Sequence, residues 1–100
     1  MNRWLIVALV CGGCQQAPHT HEVAIRDFVF DPDTLRIAVG DTVIWRNHDF
    51  APHTATATSK SWDSNTIAAD QSWSSATFRA GRYQYLCALH PNMRGMLVVE

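Results

Sequence analysis

A surplus of charge is missing from this chain. Eight basic residues stand against nine acidic ones, giving a formal net charge of -1, and they form no Lys/Arg stripe. The electrostatic footprint of a nucleic-acid-binding protein is therefore absent. Long apolar runs are missing too: the longest, Trp4 to Val10, is too short to span a bilayer. Helical spacing is missing from Glu22 onward, which argues against helix bundles and βαβ folds. With 100 residues there is room for one small domain, whose modest core gains from an added staple such as a metal. Cysteine is scarce as well, with two of the three, Cys11 and Cys14, lying at the N-terminus. That leaves Cys87 without a partner for an intramolecular disulfide. In an oxidising exterior such a thiol needs burial or a metal to protect it.

The N-terminus reads as an export signal. Asn2 and Arg3 form a short polar, positive start, Trp4 to Val10 is the apolar stretch, and Cys11, Gly12, Gly13 and Cys14 follow. Gly13 before Cys14 resembles a bacterial lipoprotein cleavage site, with Cys14 as the lipidated first residue of the mature chain, although Cys11 stands where that pattern usually has leucine. A plainly cleaved signal and an uncleaved anchor are the alternatives. Cys11-Gly-Gly-Cys14 lacks the folded context of a redox pair, and Gln15 stands where haem attachment requires histidine. The expected organisation is a signal peptide over 1–14, a linker over 15–21 and a folded domain over 22–100. Pro18 and the unpatterned polar residues around it suit a tether. His19 and His21 within it read as solvated linker histidines, with loose binding of a second metal as the alternative.

From Glu22 the chain alternates short β-prone runs with turn residues. Val23 to Phe30 is expected to be a strand with a bulge or change of facing near Asp27, and Asp31-Pro32-Asp33 a turn. Thr34 to Val39 and Thr42 to Arg46 read as half-buried strands on either side of Gly40-Asp41, with Val43 and Trp45 on one face. A loop follows from Asn47 to Thr58. Lys60 to Asn65 is expected to hold a short strand around Trp62, Ala68 to Gln71 a single helical turn or a turn, and Ser72 to Arg79 a strand. Arg82 to Cys87 places Tyr83, Tyr85 and Cys87 on one face, and Met96 to Val99 closes the chain. Seven or eight such strands predict an all-β, antiparallel β-sandwich or barrel.

The densest chemistry lies between Tyr83 and Gly95. Cys87, His90 and Met93 follow one another at Cys-x-x-His-x-x-Met spacing, so one tight loop at a strand end directs a thiolate, an imidazole and a thioether toward one centre. A thiolate and two imidazoles in a near-trigonal plane, with a weak axial thioether, suit copper cycling between two oxidation states. His53, after Pro52 in the loop that follows the Trp45 strand, is the natural second imidazole. Met96 competes with Met93 for the axial place but begins the last strand, where core packing is its simpler role. Zinc tolerates the His-Cys-His set, yet a thioether is a poor fourth ligand for it. His48 has no such support and reads as a surface residue.

Ile25-Arg-Asp-Phe28, Phe30-Asp-Pro32, Val39-Gly-Asp-Thr-Val43, Trp45-Arg-Asn47, Pro52-His53-Thr54 and Tyr85-Leu-Cys87-Ala-Leu-His90-Pro-Asn-Met93-Arg-Gly95 together resemble the cupredoxins, the small blue-copper proteins, and among them the short-loop amicyanin type more than plastocyanin or pseudoazurin. The resemblance covers nearly all of 22–100 and is weakest between Ala55 and Gln71. It implies a Greek-key β-sandwich with one type 1 copper at one end, bound by His53, Cys87, His90 and Met93, in a one-electron carrier rather than an enzyme. Copper storage or delivery outside the cytoplasm is the alternative. Many cupredoxins have asparagine after the first ligand histidine, where this chain has Thr54. The resemblance also implies that His90 is the exit for the electron, amid Ala51, Pro52, Leu89, Pro91 and Asn92. The expected protein is a periplasmic, membrane-tethered monomer, meeting c-type cytochromes or periplasmic oxidoreductases transiently.

Overall fold

The computed structural model describes residues 17–100, and the leader, with Cys11, Cys14 and any lipidation, lies outside the described residues. Eight strands follow: β1 (Thr20–Arg26), β2 (Val29–Asp31), β3 (Thr34–Ile37), β4 (Thr42–Asn47), β5 (Thr56–Ala57), β6 (Ser72–Ser75), β7 (Gly81–Cys87) and β8 (His90–Val99). There is no helix among the described residues. The strands form two four-stranded sheets, ordered β2-β1-β4-β6 and β3-β8-β7-β5, and the chain crosses between them repeatedly in a Greek-key sandwich. The sheets are mixed rather than purely antiparallel. β1 runs parallel to β4 and β3 runs parallel to β8, because each member of these pairs is separated from the other by excursions into the opposite sheet.

Period-two patterning builds the core. Val43, Trp45 and Asn47 of β4, Val23 and Ile25 of β1, and Tyr85 and Cys87 of β7 all point inward and are buried. They meet Ile37, Leu97 and Val99 between the sheets. Trp45 sits at the centre, with ring centroids 5.4 Å from both Trp62 and Trp73 and 5.6 Å from Tyr85. Trp62 belongs to this cluster although Lys60 to Asn65 forms no strand; the segment makes only an isolated bridge, Thr56 to Asp63.

Three further expectations give way. The bulge expected near Asp27 is a hairpin turn: β1 and β2 pair antiparallel around Asp27 and Phe28, whose φ angles are 56° and 61°. Two residues in the left-handed region match the twist of a two-residue hairpin, a conformation usually reserved for Asn-Gly. The strand expected over Ser72 to Arg79 stops at Ser75. Finally, β1 begins at Thr20, two residues before Glu22. The Asp41 carboxylate accepts the His19 amide at 2.9 Å and the Ala38 amide at 3.0 Å, and pairs with His21 Nε2 at 2.9 Å. Those backbone and side-chain hydrogen bonds, led by the His19 amide, hold its carboxyl well below the usual carboxylate range. His19 and His21 are thus tied to the β3–β4 turn, in which Gly40 takes φ 95°.

Candidate metal centre

The site is assembled where β4 and β7 end. Because Asn47 is the third inward residue of β4, its amide enters the interior beneath the loop that follows. Its Nδ2 donates to the carbonyls of Ala51 and Ile67 at 2.9 and 3.0 Å, and its Oδ1 accepts the Asp49 amide at 2.8 Å. His53 then makes a two-bond bridge with Ile67. These contacts fix the loop that aims the fully buried His53 ring inward. On the other side, Cys87 ends β7 and pairs directly with His90, the first residue of β8, so only Ala88 and Leu89 separate the strands. The last strand therefore starts at His90, well before the expected Met96, because the ligand loop itself is part of the hairpin.

Cys87 Sγ lies 3.7 Å from His53 Nδ1 and 3.7 Å from His90 Nδ1. All three donor atoms fall within 4.8 Å of one another. With metal–sulfur and metal–nitrogen bonds of about 2.3 and 2.0 Å, a 3.7 Å separation would put the sulfur and each nitrogen about 120° apart around one ion. A thiolate and two imidazoles in that disposition fit copper. Met93 is buried in the same core cluster as Cys87, whereas Met96 lines a separate cavity beside Asp33, Tyr85 and Arg94.

Two side chains that the sequence reading passed over complete the surroundings. Asp49 accepts from His53 Nε2 at 2.9 Å, so in the neutral ring Nδ1 is the free lone pair, and it faces the thiol. The same carboxylate accepts the amides of Asp27 and Phe28 at 2.7 and 2.9 Å. Burial pushes its carboxyl upward, but the Phe28 and Asp27 amides and His53 outweigh this and hold it low. An acid four residues ahead of a ligand histidine was the available signal. Phe28 is the second. The hairpin turn places its ring edge-on to both imidazoles, with centroids 4.9 Å from His53 and 4.9 Å from His90. Its signal was faint, since a bulky residue at positive φ is not foreseen from propensity. His48 is directed away, 3.9 Å from Glu22.

Thr54 donates its backbone N–H to Cys87 Sγ at 3.3 Å and accepts the Ala88 N–H on its hydroxyl at 2.7 Å. The hydroxyl thus bridges the loop that carries His53 and the loop that follows Cys87.

Comparison with known proteins agrees with this arrangement. The description "Cupredoxin-like domain" matches residues 3–99. The chain belongs to the cupredoxin-like family. It is 32% identical over 92 residues to amicyanin-alpha from Methylorubrum extorquens, covering 86% of this chain and 77% of that protein. It is 32% identical over 83 residues to amicyanin from Paracoccus denitrificans, covering 78% of this chain and 63% of that protein. Among solved structures, an amicyanin variant in its oxidized state superposes with a TM-score of 0.75 at 31% identity, over 81% of this chain and 82% of the other.

Proposed function

We propose that this cupredoxin is a one-electron carrier whose single type 1 copper would be held by His53 Nδ1, Cys87 Sγ and His90 Nδ1, with Met93 as the weak fourth donor. The observation that carries the reading is the buried thiol with two imidazole nitrogens at equal 3.7 Å separations. Bound copper supplies the Cu(II)/Cu(I) couple. The protein's part is to hold the donors still. Asp49 fixes the His53 tautomer, the Thr54 amide stabilises the electron-rich sulfur, and the Cys87–His90 pairing keeps the loop short. Rigid donors reduce the reorganisation that accompanies each transfer.

Of the two imidazoles, His53 is fully buried and His90 is half-buried, so His90 is the exit. The loops around it expose apolar side chains: Phe50 is 91% exposed, Leu89 50% and Phe28 41%. With Pro52 and Pro91 they form a docking surface of the modest size that transient redox encounters use. The partners are exported redox proteins of the c-type cytochrome or periplasmic oxidoreductase class, and the protein works outside the cytoplasm, tethered through a lipidated Cys14. Stopped-flow electron exchange and Cu(I) transfer to a chelator separate this role from copper delivery. A carrier exchanges electrons quickly and keeps its Cu(I); slow exchange with quick loss of Cu(I) contradicts the proposal. Mass spectrometry of the mature N-terminus tests the tether.

A further inference from the structure

The Thr54 hydroxyl leads away from the metal centre to the surface. It accepts the Ala88 N–H at 2.7 Å and lies 2.9 Å from the Thr56 hydroxyl. The Thr56 hydroxyl donates to Asp63 Oδ1 at 3.0 Å, and the same oxygen accepts the Asn65 N–H at 2.8 Å. The ends of this row fix its direction. A backbone amide only donates and an ionised carboxylate only accepts. Since the single Thr56 proton goes to Asp63, Thr54 donates to Thr56 and keeps its oxygen for Ala88. Only one proton arrangement satisfies every member. Thr54 and Thr56 are buried while Asp63 is exposed, so the relay joins a surface carboxylate to the peptide that follows the thiol. β5 contributes as well, since Thr56 pairs with Leu86, the neighbour of Cys87.

We propose that Asp63 is a positioning residue for the metal centre, acting through the Thr56 and Thr54 hydroxyls to fix the Cys87–Ala88 peptide and the Thr54 N–H on Cys87 Sγ. Its effect on copper rests on the ligand reading above; the relay itself consists of protein hydrogen bonds alone. A donor aimed at the sulfur favours the reduced, more electron-rich site, so loosening it lowers the reduction potential. Removing a negative charge acts in the opposite direction. Three variants separate the effects: Asp63→Asn removes the charge but keeps an acceptor oxygen, Asp63→Ala removes both, and Thr56→Val keeps the charge and cuts the relay.

In metal-free protein, NMR amide exchange at Ala88 and Thr54 is expected to accelerate by about tenfold in Asp63→Ala and Thr56→Val, the scale of one hydrogen bond, and to change little in Asp63→Asn. In copper-loaded protein the potential of Asp63→Ala is expected to fall below that of Asp63→Asn, and this difference is expected to vanish when Thr56 is already valine. Thermal unfolding confirms that each variant is folded, and the nearly isosteric Thr56→Val serves if Asp63→Ala is not. Equal exchange and equal potentials for Asn and Ala at position 63, or a difference that persists beside Thr56→Val, overturn the proposal, as does wild-type exchange at both amides in Thr56→Val. A wild-type protein that takes up no copper instead sinks the ligand reading, and the role assigned to Asp63 falls with it, while the exchange data still report whether the relay exists.

Discussion

Asp49 gathers three donors around one carboxylate, the His53 ring and the amides of Asp27 and Phe28, and thereby couples a ligand tautomer to the turn that carries Phe28 over both imidazoles. Replacing it with alanine releases the His53 ring and leaves two amides of a positive-φ turn without their acceptor. The expected result is a copper affinity lower by about 10- to 100-fold, read by competition with a chelator, since partners of ligand histidines have effects on that scale. Met93→Leu is the contrasting case. It is expected to retain copper and raise the potential, because the thioether proposed as the weak donor would favour the oxidised ion, and voltammetry of the variant checks it. An unchanged potential would point away from Met93. At this scale the strong donors could be read from residue type and spacing, since Cys87 and His90 lie within four positions of each other. Asp49 left only the hint of an acid four residues before His53, and Phe28 a fainter one, because their roles depend on a hairpin turn that brings β1–β2 against the 48–53 loop.

Strands and their connections set where those residues sit. Asn47→Ala removes an amide that binds two carbonyls and one N–H, leaving buried groups unpaired; a loss of about 1–3 kcal/mol is expected from denaturant unfolding. Gly95 pairs with Tyr85 across β7 and β8, and a methyl group there would collide with the Tyr85 ring. Gly95→Ala is expected to cost about 1–3 kcal/mol by overpacking, measured in the same way. At the far end of β1, Asp41 has a folded pKa below its unfolded value, so its contribution is complete above the unfolded value of about 4 and is lost as pH falls through the folded one. Asp41→Asn is therefore expected to melt several degrees lower at pH 7, with the gap narrowing below about pH 4; a gap independent of pH would remove Asp41 as the anchor of β1. The alternation of β4 and β7 was legible because each buries one face. β1 reached further back than its apolar residues suggested, since its first residues are held by hydrogen bonds to Asp41 and not by burial. Trp62 packs into the core from a segment without ladder pairing, which a strand-based reading cannot distinguish from a short strand.

For the molecule as a whole, two mixed sheets hold a buried aromatic centre at their middle and the donor cluster at one end, with exposed Phe50 and Leu89 on the loops that carry the ligands. Phe50→Asp or Leu89→Asp is expected to slow electron exchange with a partner by about tenfold or more while leaving the visible spectrum unchanged, since a charge is introduced into the docking surface and not beside the thiolate. The fold class was legible from strand count and turn chemistry. The parallel pairings were not, because they arise from crossings between sheets that no local pattern encodes. In the proposed site Cys87, with two imidazoles, holds one type 1 copper. The most direct test is the visible spectrum of purified protein reconstituted with one equivalent of Cu(II). An intense blue thiolate-to-copper band in the wild type, abolished in Cys87→Ala, is the expected result; a wild-type protein that binds stoichiometric copper without that band would contradict the account.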